Sequence, residues 1–430
     1  MNMKKNSILL FVVSLVFLAT VYTASPARAW ETAVVDNGPV LGPASLAVDG
    51  GGSLHLVCRD GLSHRLKYAT NTSGEWVLSW IETNPVVTAD EFSLALDTAG
   101  RLHIVLCSPG PRLWYLSNAG GLWTLTELEP GVRPSIAVDA AGYAHIGSVR
   151  IPEVWYTTNK TGAWVNEKVD PAAVMWPSAT SIAVDLSGHV HLVYGSYMDS
   201  YYLDGQEAYV TNASGSWVET PLPVDLLSGG KAWKPSLAVD ASNRVHLSYL
   251  GMGLLGNGFT LVHAAKQGQT FASEIASWER SGSSAPFPLS TDMTTDIGNR
   301  VHIGYTYKGT SGSFRLKYAT NVNGSWEVSG SLSEGIDSTG SSIGVDSTGK
   351  VYLGYVDGTG RLLVTSGRAE GLTPMWPGTP AEASVYGEES RRRSGLFNLL
   401  APVLVAAGAI LCMRMYRRSK RLPRADRLIP

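Results

Sequence analysis

The chain has 430 residues, 16% of them charged, with 46 glycines and a formal net charge of −2. That balance excludes broad attraction to nucleic acid or to an anionic surface, and no nucleic-acid partner is expected. The abundance of Gly, Trp and Tyr suits a strand- and loop-rich protein rather than a helical one, organised as one large domain or two ordinary ones.

Residues 1–29 read as a targeting segment. Lys4 and Lys5 form its basic start, Ile8 to Ala19 its apolar run, and Ala27-Arg28-Ala29 a small-residue cleavage site. The alternative, an uncleaved N-terminal anchor, is weaker because the apolar run is shorter than a membrane span. The mature chain is expected to begin at Trp30.

From there one pattern recurs. A short alternating run of apolar residues ends at Asp49, Asp97, Asp139, Asp185, Asp240, Asp296 and Asp346. Six residues after each comes His55, His103, His145, His191, His246, His302 or, in the last copy, Tyr352. Each copy reads as four strands. The first is P-S-I-A-V-D-like (Pro134 to Asp139) and the second V-H-I-x-Y-like (Val301 to Tyr305). The third is L-x-Y-A-T-N-like, as in Leu66 to Asn71, Leu113 to Asn118, Val154 to Asn159 and Glu207 to Asn212. The fourth starts at an aromatic residue: Trp76, Trp123, Trp164, Trp217 or Trp326. In the fifth copy Lys266 replaces the Asn and Phe271 the Trp. Four short strands repeated every 42 to 56 residues predict an all-β fold, a seven-bladed β-propeller.

The seventh copy lacks its fourth strand after Leu362 to Ser366, whereas Trp30 to Asp36 resembles the fourth strand Ala163 to Asp170. The mature N-terminus is therefore expected to complete the seventh blade and close the ring, removing an exposed sheet edge. Cys58 and Cys107 fall in the second strands of neighbouring copies, and Cys412 in a later apolar span. Such positions seldom come within bridging distance, so no disulfide is expected.

These copies resemble the repeats of bacterial propellers of the NHL type, whose blades carry a similar A-V-D-x-x-G-x-h-h-V string. They are similar, more distantly, to sialidase-like propellers with Asp-box turns. The resemblance covers Trp30 to about Gly367 and implies a fold rather than an activity, since propellers host many unrelated functions. The chain departs from both groups: it has no S-x-D-x-G-x-T-W Asp box, and His stands after the turn where Tyr or Val is usual.

From Arg368 the pattern stops. Residues 368–395, with Pro374, Pro377 and Pro380, read as a flexible stalk. Leu396 to Met413 is an uncharged apolar run just long enough to span a bilayer. Residues 414–430 hold seven cations against Arg391, Arg392 and Arg393 before the span, which places the C-terminus in the cytoplasm and the propeller outside it. The tail is also similar to the sorting tails of bacterial surface proteins, which a protease removes. The short P-E-P or G-G motif before the span is absent, so plain anchoring is the expectation.

Little in the chain carries chemistry. Seven symmetric Asp/His pairs do not make one active site; an Asp that satisfies turn amides and bonds a nearby His is structural. No calcium loop, H-E-x-x-H, paired C-x-x-C or G-x-S-x-G context is present, and no metal, cofactor or catalytic set is expected. Breaks in the symmetry are the better guide, because repeat proteins bind through loops. The fourth copy inserts Tyr197, Asp199, Tyr201 and Tyr202 between its second and third strands; the connections between blades add Trp176 and Trp233. Propeller topology puts these on one face, and aromatic rings beside carboxylates suit a glycan, peptide or protein ligand. The bland alternative is that they merely cover wider blades. The preferred reading is a membrane-tethered, non-catalytic binding propeller; the rival is a polysaccharide hydrolase or lyase with its site at the central channel mouth.

Overall fold

Each copy folds for a local reason at its first turn. One carboxylate oxygen of Asp49 accepts the backbone N–H groups of Gly51 and Ser53, at 2.9 and 2.8 Å. The equivalent Asp of every other copy does the same for the residues two and four places on, from Ala99 and Arg101 on Asp97 to Thr348 and Lys350 on Asp346. The third turn residue must enter the left-handed region, which Gly does freely and Asn tolerates. Gly142 (φ 87°) fills it in the third copy, Asn243 (61°) and Asn299 (60°) in the fifth and sixth. A second cap closes the other hairpin: the amide oxygen of Asn71 accepts the Leu54 N–H at 2.7 Å, and Asn118, Asn159, Asn212 and Asn321 repeat the bond.

A computed structural model describes residues 30–169, 177–197, 205–222, 232–252, 258–280, 290–370 and 372–374. The expected leader, span and basic tail, and the stalk beyond residue 374, lie outside the described residues. Strands Ser45–Val48, Leu54–Arg59, Leu66–Thr70 and Val77–Trp80 form the first blade, in that order from the inner strand outwards. The next five blades follow the same rule, and all pairings within them are antiparallel. The seventh runs Ile336–Val345, Val351–Asp357 and Leu362–Gly367, and its outer strand is Glu31–Asp36, paired in register from Glu31↔Ser366 to Val34↔Leu363. The leading segment therefore closes a seven-bladed ring.

Blades hold each other through their faces. Seven buried apolar clusters are present among the described residues, and each straddles two adjacent blades; one joins Leu46, Leu56 and Ala69 of the first blade to Tyr352, Val356 and Val364 of the seventh. The fit is close. A Cβ on Gly304 would lie 2.5 Å from Leu353 in the next blade, and one on Gly147 would lie 2.6 Å from Leu192.

A polar ladder runs beside each apolar seam. The other oxygen of the turn Asp lies 3.2–3.4 Å from Nε2 of the His six residues on. In five blades Nδ1 of that His accepts the hydroxyl of the third-strand tyrosine, Tyr68, Tyr115, Tyr156, Tyr209 or Tyr318, at 2.6 Å. The outer-strand aromatic of the following blade then packs on that tyrosine: Trp123 on Tyr68, Trp164 on Tyr115, Trp217 on Tyr156, Phe271 on Tyr209 and Trp30 on Tyr318. Tyr352 of the seventh blade reaches its Asp346 directly, at 2.9 Å, with Val364 standing where the other blades have the tyrosine.

Two features depart from the repeat. The fourth strand of the sixth blade is split into Glu327–Val328 and Ser333–Glu334, both paired to Phe314–Thr320. Packing also continues past Gly367: Ala369 and Leu372 lie on the cluster between the sixth and seventh blades, and Thr373–Pro374 pair with Glu327–Val328, covering the sixth blade's outer edge.

Two outcomes are expected. Trp30→Ala removes the ring that packs on Tyr318 and Gly367 and should cost about 2 kcal/mol in urea unfolding, the burial worth of one large side chain. Acid should unfold the ring in two stages. Burial pulls His103, His145, His191 and His302 below the ordinary histidine value and outweighs the Asp partners that raise them. Their contribution is whole above the free value of about 6.5 and drains as pH falls. Burial pushes the seven turn carboxyls up, but backbone N–H groups and side-chain donors (a histidine in six blades) outweigh it and hold them low. Their contribution is whole above about pH 3.9 and drains below it. Melting temperatures across pH check both stages.

Candidate functional site

The two faces of the ring differ. One is built from the Asp and Asn turns just described. The other carries the connections from second to third strand and from blade to blade. On that face the fourth and fifth blades depart from the rest. In the fourth, strands Val190–Tyr197 and Gly205–Thr211 pair to their very ends, Tyr197 opposite Gly205. In the fifth, Gly258–Gln267 and Thr270–Arg280 have 10 and 11 residues, against 5 and 4 in the matching strands of the first blade. Trp233 lies in Ala232–Val239, the inner strand of the fifth blade, opposite Leu250. The fold thus brings the backbones of Tyr197 and Trp233 to one face of adjacent blades. Trp176, Asp199, Tyr201 and Tyr202 lie outside the described residues.

Polar groups that pattern reasoning passed over sit between blades. The two copies spelled L-K-Y-A-T-N, Leu66 to Asn71 and Leu316 to Asn321, place their lysines alike. Lys67 reaches Asp36 of the closing strand at 3.1 Å and Asp60 at 2.9 Å, all three nearly buried. Burial alone would pull the Lys67 ammonium down; the two carboxylates outweigh it and hold it above its ordinary value. Lys317 grips both oxygens of Glu279, at 2.8 and 2.9 Å, on the outer strand of the preceding blade. The Tyr305 hydroxyl also donates to Glu279, at 2.7 Å, and burial, with Glu279 beside it, raises that phenol well above its ordinary value. The signal was the exact recurrence of the string in only two copies, each opposite an outer-strand acid.

Asp292 is a second missed group. Inner strands are laced by a side-chain belt: Ser45 accepts the Leu94 N–H of the next blade, Ser181 that of Leu237, Ser236 that of Met293 and Ser342 that of Leu46. In the sixth copy an Asp takes the serine's place. Asp292 accepts the Ile343 N–H at 2.9 Å and the hydroxyls of Ser342 and Ser236 at 3.0 and 3.2 Å. Burial raises its carboxyl despite those donors. It ties three blades together.

Cations on the outer rim are occupied. Arg65 lies 5.0 Å over Trp80 and bonds Glu82; Arg112 lies over Trp114 and bonds Glu127; Arg150 lies over Trp155 and bonds Asn166. Among the described residues no group of three or more His, Cys, Asp or Glu side chains is arranged to hold a metal ion.

No known protein family's sequence profile matches the chain, and no curated protein matches it. Solved structures do. A protein of unknown function from Dyadobacter fermentans is 16% identical, covering 78% of this chain and 97% of its own, with a TM-score of 0.46. AofleA from Arthrobotrys oligospora is 12% identical, covering 73% and 92%, at 0.45. The SapL1 lectin, solved with alpha methyl fucoside, is 11% identical, covering 68% and 97%, at 0.45. Such low identities speak to the fold at most, and the strand pairing already sets it.

Cys58 and Cys107 are buried free thiols, as expected of neighbouring second strands. Burial pushes Cys58 up to about 12 and Cys107 up to about 11. A thiol reagent at neutral pH should leave both unmodified in the native protein and label them only in denaturant. Rapid native labelling of either would contradict the packing.

Proposed function

We propose that the chain is a non-catalytic binding propeller, displayed outside the cytoplasm on a C-terminal membrane span, that holds a glycan, peptide or protein partner. The ligand surface is the face of the fourth and fifth blades bearing Tyr197, Asp199, Tyr201, Tyr202, Trp176 and Trp233. One observation carries this reading: the turn face repeats the same self-satisfied Asp and Asn caps around the ring, whereas the opposite face breaks the repeat where strands lengthen and aromatic residues accumulate. Repeat proteins keep one face for structure and vary the other for recognition. Rigid aromatic rings with a few carboxylates offer stacking faces and hydrogen-bond acceptors at low entropic cost.

The leader and the apolar run Leu396 to Met413 with its trailing cations support the display. The rival hydrolase or lyase needs an acid and a base free to move protons. The buried carboxylates of the described blades instead spend their lone pairs on structure: Glu279 on Lys317 and Tyr305, Asp292 on two serines and backbone amides.

The test is a glycan and peptide array probed with the intact, detergent-solubilised chain and with Tyr197→Ala/Trp233→Ala. The variant should keep the wild-type melting temperature and lose ligand retention at least tenfold. A variant that retains every ligand normally would end the proposal.

A further inference from the structure

The polar ladder is built differently in one blade. In five blades a Tyr hydroxyl bonds Nδ1 of the His, whose Nε2 lies 3.3–3.4 Å from the turn Asp and hydrogen-bonds it in the first three. A neutral imidazole satisfies both: Nε2–H donates to the Asp, and Nδ1 accepts the phenol. In the fifth blade His263 stands where the tyrosine should be. The line runs from Asp240 to His246 Nε2 at 3.2 Å, from His246 Nδ1 to His263 Nε2 at 3.0 Å, and from His263 Nδ1 to Glu274 Oε1 at 3.0 Å.

Three hydrogen bonds in a row between two carboxylates need three protons, and two neutral imidazoles supply two. We propose that the fifth blade carries one proton more than its neighbours, as a histidine pair sharing a positive charge between Asp240 and Glu274, and that this makes its seam with the sixth blade the proton-sensitive joint of the ring.

The surroundings fit a cation there. Asp240, His246 and His263 are almost wholly buried, while the Glu274 side chain is about half exposed. The hydrogen bond from His263 holds the Glu274 carboxyl below its ordinary value, so the third proton belongs to the rings and not to the acid. From the sixth blade the ring of Trp326 packs 5.1 Å from His263, its plane tilted 54° to the imidazole. Burial, the neighbouring His263 and Arg244 at the turn after Asp240 oppose a charge on His246, which leaves the larger share of it on His263 between His246 and Glu274. When the proton leaves, the Nδ1 lone pair and the Glu274 carboxylate face each other as two acceptors. Glu274 then turns to water, and His263 loses the bond that holds its ring against Trp326 of the sixth blade. This joint belongs to the blade that carries Trp233.

The experiment is ¹⁵N spectroscopy of the full chain labelled at histidine. Near neutral pH the wild type should show one histidine pair with the imidazolium signature, among buried rings in the neutral Nε2–H form. Raising the pH should convert it to neutral in one step. His263→Tyr rebuilds the ladder of the other blades and should abolish the signature. Glu274→Gln supplies an amide N–H to Nδ1, satisfies all three bonds with neutral rings, and should abolish it too. Because Glu274 is half exposed, that variant should fold with an unchanged melting temperature even if His263→Tyr does not. Neutral rings in the wild type near neutral pH, or a signature that survives Glu274→Gln, would overturn the proposal.

Discussion

The ring depends on one interaction more than any other: the buried carboxylate–imidazole–phenol ladder passed from blade to blade. No four-stranded blade can bury both of its faces alone, so each must be covered by its neighbours. Apolar contact supplies most of that cohesion but does not fix how one sheet is rotated against the next. The ladder does. The Asp is pinned by two turn amides, the His by the Asp, the Tyr by the His, and the next blade's indole by the Tyr. A buried polar chain tolerates little slack, because any broken link leaves a desolvated group unpaired.

Closure is where the repeat had to be adjusted. The seventh blade borrows its outer strand from the start of the chain, and several of its residues depart from the repeat. Gly367 replaces the capping Asn, and the ring of Trp30 occupies the space its side chain would fill. Asp36 ends the borrowed strand on the ammonium of Lys67, fastening it to the first blade as well as the seventh. Tyr352 stands in the place of the His and reaches Asp346 directly. The chain then leaves by way of the sixth blade's outer edge, capping a strand that the split fourth segment leaves short.

Using one face for turns frees the other. Caps consume the polar side chains on the turn side, so that surface has little to offer a ligand. The connections on the opposite side share no common cap, although Asp60 and Asp357 each close one, and they vary in length and chemistry. This division also sets the polar groups between blades apart from recognition: Lys317–Glu279 and Asp292 look like chemistry in isolation, yet each is fully bonded within the scaffold.

The sequence by itself determined the blade count, the strand order within each blade, the structural role of the Asp and His, and the borrowed strand. Those depend on short-range spacing, and a hairpin's register follows from its turn residues and the alternation of its side chains. It did not reveal the partners of Lys67 and Lys317, the carboxylate in the serine belt, or the doubled histidine of the fifth blade. In the sequence each is a single exception inside a repeat, and a substitution gains meaning only beside the residue it meets. Those meetings join residues such as Asp36 and Lys67, or Ser342 and Leu46, that lie far apart in the chain. Only the tertiary structure decided them, because face-to-face packing of separate sheets chooses neighbours that no local periodicity encodes.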